Sequence, residues 1–330
     1  MIRTAVEAPK RSIVSAGTGM LRRGGLFESV AKRSWCLVWL GLLLLAGAGV
    51  LLWHLQAYGV AVRLFVVERL ADVVPQPFRV QDSDLLAHEF SGRDPVELLR
   101  AVMNSVTRVG PDPSGGVREF LAHAKAGGGL VCFGMAHLYA AAASGNGLQA
   151  RIIGLSRNLG DRYDAHTTVE VRQNGRWVLF DPTFNVSFAR DGILLGAEEI
   201  QKAFLDGTFQ SITPVSYRPV VYPARLDAGL LTLLPLFNNV FVLDAQRERL
   251  VKLPPFRYWL GPRIYVKTLP GHPNEHVRFV NTLYWIASAF LPLLGVAILA
   301  LGGLCWWASR RVAASDAPDD KDQRADVTAE

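Results

Sequence analysis

An α+β domain held between two membrane-spanning helices is the architecture that the sequence predicts, and three observations predict it. Two long apolar stretches near the ends of the 330-residue chain contain no Asp, Glu, Lys or Arg. Helical periodicity fills the first half of the region between them. From Gln149 the pattern changes to strand character, with two β-type runs joined by Asn174-Gly175.

The apolar stretches run from Ser34 to Val62 and from Phe279 to Ser309, and each exceeds the roughly 20 residues that cross a bilayer. Trp35, Trp39 and Trp53 lie near the ends of the first, and Tyr284, Trp285, Trp306 and Trp307 bracket the second, as expected where amphipathic rings meet headgroups. Both are therefore expected to span the lipid bilayer. Cleavage of the first as a signal peptide is disfavoured, because the basic leader is long and the apolar run outlasts an ordinary signal core. Arg22, Arg23, Lys32 and Arg33 precede the first span and Arg310 and Arg311 follow the second, against Arg63 and Arg278 on the inner sides. The positive-inside rule then puts both termini in the cytoplasm and everything between the spans outside it.

The net charge of +6 is mostly this topology signal. Residues 1 to 33 carry seven Lys/Arg against two Glu, and residues 310 to 330 carry four against six acids, which leaves the rest only mildly basic. No basic patch is interleaved with aromatics, so no nucleic-acid partner is expected. Of the three cysteines, Cys36 and Cys305 lie in the spans and Cys132 stands alone in the outward region, where it has no partner for a disulfide.

Between and around the spans the elements follow in order. Residues 1 to 33 read as a disordered basic leader and 310 to 330 as a disordered acidic tail. Arg63 to Val74 has helical spacing and is expected to carry the first span onward. Residues 63 to 114 form a helical N-terminal part of the outward domain. In it Asp94, Pro95 and Glu97 fit the N-cap, first and third helical positions ahead of an apolar stripe of Leu98, Leu99, Val102, Met103 and Val106. After a turn-rich linker from Pro111 to Gly116, a short helix from Val117 to Ala126 stops at the glycines 127 to 129.

A helix from Cys132 to Ala143 comes next, with Cys132, Ala136, Ala140 and Ala143 on one face, small enough to approach a sheet closely. Strands are expected at "QARIIGL" from Gln149, "HTTVEVRQ" from His166 and "RWVLF" from Arg176. Residues 187 to 278 form the C-terminal part of the outward domain. It contains a helix in "GAEEIQKAFLDG" and an extended or loop-like segment from Pro214 to Pro223. The run from Ala228 to Leu243 is short for a third span and is broken by Pro235, Asn238 and Asn239, so a buried or membrane-lying segment is expected there.

With Asn174 and Gly175 as the loop, Gln173 pairs with Arg176, Thr168 falls opposite Asp181, and His166 opposite Thr183. His166, Thr168, Glu170, Trp177, Leu179 and Asp181 then share one face of the hairpin, and Thr167, Val169, Val171, Val178 and Phe180 share the other. His166 and Asp181 become diagonal neighbours about 7 Å apart in backbone terms. In that relation a carboxylate orients an imidazole and stabilises its cation. The strongest candidate for the nucleophile is Cys132, whose thiolate a helix N-terminus favours. Taken singly, a buried inert thiol, a satisfied strand histidine and a turn aspartate are the plainer readings; the order and the hairpin parity of all three favour a site.

Cys132, His166 thirty-four residues later and Asp181 fifteen after that, in "FDPTFN", resemble the transglutaminase-like superfamily, whose core is papain-like. "GLQARIIG" is similar to the family's Gly-x-x-Ala-Arg stretch, and "RWVLFDPT" to its Trp-x-x-x-Asp-Pro-Thr strand end. The resemblance covers roughly residues 115 to 186. It implies a papain-like transglutaminase core, with Cys132 as nucleophile, His166 as general base and acid, and Asp181 as orienter. Leu130 stands where the family usually has Gly, and Thr167 and Thr168 where it usually has a small residue and Trp.

The implied activity is attack on an amide bond of a peptide or protein, with water as the favoured acceptor and an amine as the other. No cofactor and no metal are implied; His272 and His276 have a four-residue interval, but Pro273 lies between them. Bacterial occurrence of the family, joined to the topology, suggests an inner-membrane protein with its domain in the periplasm or outside the cell. A different class remains open: a non-catalytic envelope scaffold that holds a peptide or glycan in a papain-like groove while its spans dock to other membrane proteins.

Overall fold

The computed structural model describes residues 18–57, 63–75, 78–158, 164–217, 233–244, 263–267, 272 and 276–315. In chain order the elements begin with α1 (Thr18–Ala57), β1 (Arg63–Val67), α2 (Val80–Glu89), α3 (Pro95–Asn104), α4 (Val117–Lys125) and α5 (Cys132–Gly145). The strands β2 (Ala150–Ser156), β3 (Ala165–Gln173), β4 (Arg176–Phe180), β5 (Val186–Arg190) and β6 (Ile193–Leu194) follow. Last come α6 (Ala197–Leu205), β7 (Thr213–Ser216), β8 (Asn239–Leu243), β9 (Arg263–Lys267), α7 (His276–Trp285) and α8 (Leu291–Ser315). The chain divides into two compact units, Met1–Gly49 with Ala289–Glu330, and Val50–Ser288.

The first unit is built from α1 and α8. Two helical segments, Lys32–Leu55 and Asn281–Val312, are long and apolar enough to cross a membrane. Within the unit the helices touch through glycines: a Cβ on Gly41 would lie 2.8 Å from the Gly295 carbonyl, and one on Gly302 3.1 Å from Val38. A Cβ on Gly303 would meet nothing within 4 Å. Trp306 and Trp307 carry the Arg310 and Arg311 guanidiniums 4.3 and 3.9 Å above their rings. Helix α1 already begins at Thr18, so the second half of the expected disordered leader is helical; once nucleated in the apolar run, the helix gains one hydrogen bond per residue added. Residues 1 to 17 and 316 to 330 lie outside the described residues.

Ile286–Phe290 forms a π-helical turn ahead of Pro292. Pro292 has no N–H for the carbonyl one turn back and its ring crowds that carbonyl, so the turn widens. Tyr284 is buried and packs with Leu52, Leu55, Ala287 and Val266.

The second unit carries a six-stranded sheet in the order β1-β9-β8-β2-β3-β4 and a three-stranded sheet in the order β6-β5-β7. All pairings are antiparallel except β1 with β9. One expectation is corrected here. Residues 63 to 67 are a strand, not a helical extension of the first span, because Phe65, Val66 and Val67 suit a pleated surface and β9 supplies backbone partners from Arg63↔Arg263 to Val67↔Lys267. The run 228–243 is a buried segment where it is described, as expected: Leu234–Asn238 is a 3-10 turn and Asn239–Leu243 is β8, inside the large sheet, while 228 to 232 lie outside the described residues. Of the Pro214–Pro223 segment, the described part pairs with β5 as β7.

Helices α3 to α6 stand as the sequence predicts, while α2 is an addition to it. Asp94 caps α3, its Oδ1 accepting from Val96 at 2.7 Å and Glu97 at 3.3 Å, and the Leu98 to Val106 stripe is buried. Asn174 and Gly175 both take positive φ, 49° and 81°, the type I′ geometry that joins twisted strands in a two-residue hairpin. Helix α5 is the centre of the core. Met135 to Ala143 are buried along it, and its alanines let it lie on β2 and β3 while α2, α3 and α4 close over it. On the other face of the sheet, α6 and the 234–238 turn cover Ile153, Leu155 and Leu179.

His137 sits inside this core, 4% exposed. It packs on the Phe133 ring at 4.0 Å, and its Nδ1 lies 2.8 Å from the Phe133 carbonyl oxygen. Burial pushes its pKa from 6.5 down to about 4. The unfolded chain therefore binds the proton more tightly between those values, and stability falls as pH drops below 6.5. The expected loss is about 3 kcal/mol by the time pH reaches 4. Urea midpoints measured from pH 7 to 4.5 should fall, and His137→Phe should flatten that slope; a slope unchanged by the substitution would remove His137 as its source.

Candidate active site

The approach to α5 explains the glycines in front of the cysteine. Segments 108–110 and 128–130 cross, with the Leu130 N–H donating to Arg108 at 3.3 Å and the Gly110 N–H to Leu130 at 3.4 Å. A Cβ on Gly129 would meet the Gly110 nitrogen at 2.4 Å, so glycine belongs to the crossing itself. Leu130, where the family pattern usually has glycine, is fully buried core.

Val131 occupies the N-cap of α5 and has no side-chain acceptor for the helix's open N–H groups. Asp112 supplies one from the preceding linker. Its Oδ1 accepts from the Val131 N–H at 2.9 Å and its Oδ2 from the Gly134 N–H at 3.0 Å. Burial pushes the Asp112 carboxyl above its usual 3.8, against the pull of those two N–H groups and of His123. Among the described residues, the N–H groups of Cys132 and Phe133 between them have no hydrogen-bond partner.

Cys132 is the first residue of α5 and is partly exposed. Its thiol is acted on by the His166 ring and by the Thr167 backbone N–H, both of which lower it. His166, second residue of β3, turns its Nε2 to Asp181 Oδ2 at 2.6 Å, which leaves Nδ1 for the sulfur. Asp181, 1% exposed, is held in turn: its Oδ1 accepts from the Phe184 N–H at 3.1 Å. Burial raises the Cys132 thiol, but His166 and the Thr167 N–H outweigh it, and the thiol is lowered from 9.0. Burial also opposes charge on His166, yet the Asp181 carboxylate and the sulfur overcome it and raise the ring well above 6.5. Both shifts favour a thiolate beside an imidazolium at neutral pH.

The three residues singled out in the sequence thus meet, by a slightly different route. The β3–β4 ladder ends at Val169↔Phe180. Pro182 has no N–H to continue it, and Asp181 instead bridges to Val186. The expected pairs Thr168 with Asp181 and His166 with Thr183 do not form. The Asp181 side chain still reaches the imidazole, because the turn through Asn185, at φ 53°, folds back beside β3. Thr168, in place of the family's usual Trp, is buried and its hydroxyl donates to the Phe180 carbonyl at 2.9 Å. The aromatic neighbour of His166 is Phe184, 5.6 Å between centroids. Asp112 escaped the sequence reading, in which its segment is only a turn; the signal for it is a valine at an N-cap.

A cysteine at the head of a buried helix, laid on an antiparallel sheet whose adjacent strands bring a histidine and an aspartate to it, is the papain-like α+β arrangement. The chain carries a transglutaminase-like domain: residues 86–182 match the family model described as the transglutaminase-like superfamily. The match begins in α2 and ends just after Asp181. Searches of curated proteins and of solved structures find no match.

Proposed function

We propose that this is a membrane-anchored, transglutaminase-like cysteine hydrolase, a peptidase or amidase, that cleaves amide bonds of peptides or proteins through Cys132, His166 and Asp181. The observation that carries the reading is the convergence of Cys132, at the head of α5, with His166, whose Nε2 meets the buried Asp181 carboxylate at 2.6 Å; the ring in turn lowers the thiol. The Cys132 thiolate attacks the carbonyl carbon and forms the S–C bond. His166 then gives its proton to the departing nitrogen as the C–N bond breaks. Water, losing its proton to His166, attacks the thioester; the C–S bond breaks, and acid and thiolate leave. Acyl transfer differs only in that an amine takes the place of water. Water is the default acceptor in a solvated site.

The spans, by the positive-inside rule, put the termini in the cytoplasm and the domain in the periplasm or outside a bacterial inner membrane, where other envelope membrane proteins are the natural partners.

The test is the pH dependence of Cys132 alkylation by a membrane-impermeant reagent in a Cys36→Ala, Cys305→Ala background, with and without His166→Ala. At pH 6 the rate should exceed that of an ordinary thiol about 10-fold or more and should fall to the ordinary value without His166. Labelling only in denaturant, or a profile indifferent to His166, would reject the enzyme in favour of the non-catalytic scaffold.

A further inference from the structure

We infer that Asp112 is a positioning residue for this chemistry: by bracketing the first turn of α5, its carboxylate holds the Cys132 N–H open as the oxyanion donor. The inference rests on the hydrolase reading above. Its ground is the division of N–H groups at the helix head. One oxygen takes Val131 and the other takes Gly134, at 2.9 and 3.0 Å, so both flanks of the turn are fixed by one rigid group.

The Cys132 N–H, on the residue that bears the nucleophile, is left unpartnered among the described residues. A carbonyl carbon bonded to Sγ brings its oxygen back toward that N–H, and donors of this kind act only if they are already aimed when charge develops. An N-cap side chain on residue 131 would sit at the mouth of the site. A carboxylate reaching in from residue 112 caps the helix from behind and leaves Val131, 37% exposed, as apolar surface beside the sulfur.

Gly134 belongs to the same device. A Cβ there would lie 2.4 Å from Asp112 Oδ1, and the next nearest carboxyl atoms at 2.9 and 3.2 Å, so any side chain would displace the cap. The thiol is lowered from elsewhere, by His166 and the Thr167 N–H. Orientation of the turn and ionisation of the sulfur are thus assigned to different residues.

Two reagents separate these roles on the full-length protein in detergent micelles. Iodoacetamide alkylation forms an S–C bond with loss of iodide and develops no oxyanion. Acylation by p-nitrophenyl acetate passes through one: the thiolate adds to the carbonyl, the C–O bond breaks, and p-nitrophenolate leaves with the electron pair. Asp112→Ala and Gly134→Ala should each slow acylation about 10-fold or more, while alkylation at pH 6 stays within about 3-fold of the parent. The near-isosteric Asp112→Asn keeps one acceptor and should fall between.

Equal losses with both reagents, or no loss with either, would overturn the positioning role. A parent protein with a thiolate-like alkylation profile that the ester never acylates would instead fail the hydrolase reading, and this role with it.

Discussion

Asp181→Ala is expected to slow acylation of Cys132 at pH 7 by roughly 10²- to 10⁴-fold, with the fold intact. The carboxylate does two things at once. It accepts from His166 Nε2 at 2.6 Å, which fixes the ring so that Nδ1 faces the sulfur. It also supplies the charge that overcomes burial and raises His166 above 6.5. In the linkage sense, stability from the protonated ring is fully present below pH 6.5 and is lost as pH rises through the raised value of the folded protein. Without Asp181, burial dominates, the ring is neutral at pH 7, and Cys132 loses the cation that lowers it. Asp181→Asn keeps the acceptor for the Phe184 N–H but not the charge, and should lose nearly as much. Stopped-flow acylation with circular dichroism checks this; a folded variant within about 3-fold of the parent rate would sink the role of Asp181.

Arg151→Leu should have the largest effect on stability, about 3–5 kcal/mol, because it leaves the Glu170 carboxylate buried without its cation. Arg151 and Glu170 are 2% and 1% exposed. The guanidinium Nε and Nη2 reach the same Glu170 oxygen at 2.7 and 2.6 Å. Its Nη1 donates to the Leu70 and Val73 carbonyls, and its face lies 4.0 Å from the Trp177 ring. Glu170 Oε1 accepts from the Ala197 N–H at 2.6 Å at the head of α6. One ion pair therefore fastens the segment after β1 and the start of α6 to the middle of the sheet. Thermal unfolding should shift down by roughly 6–20 °C for a domain of this size. The double variant Arg151→Leu, Glu170→Leu should lose less than Arg151→Leu alone, since no charge is then stranded. If the double variant is the less stable one, the effect is lost packing on Trp177 rather than an orphaned carboxylate.

What could be read from the sequence was local. The hairpin followed from two residues, Asn174 and Gly175, and its parity brought His166 and Asp181 together even though the ladder stops one residue short of Asp181. Helices α3 to α6 followed from caps, glycines and apolar spacing within a dozen residues. What could not be read depends on distant partners. Residues 63 to 67 are a strand only because residues 263 to 267 lie beside them. The run ending in β8 looked membrane-like because a strand buried inside a sheet is apolar on both faces. Asp112 and Glu170 look like ordinary surface acids until the fold brings Val131, Gly134 and Arg151 to them.

The parallel pair β1 and β9 joins the strand just after the first apolar helix to the strand just before the second. It closes a loop of about 200 residues, which for a free chain costs about 5 kcal/mol of configurational entropy. That cost is met when the sheet forms, and a link that held the two ends of the loop together in the unfolded chain would lower it as a cross-link does, by narrowing the unfolded ensemble.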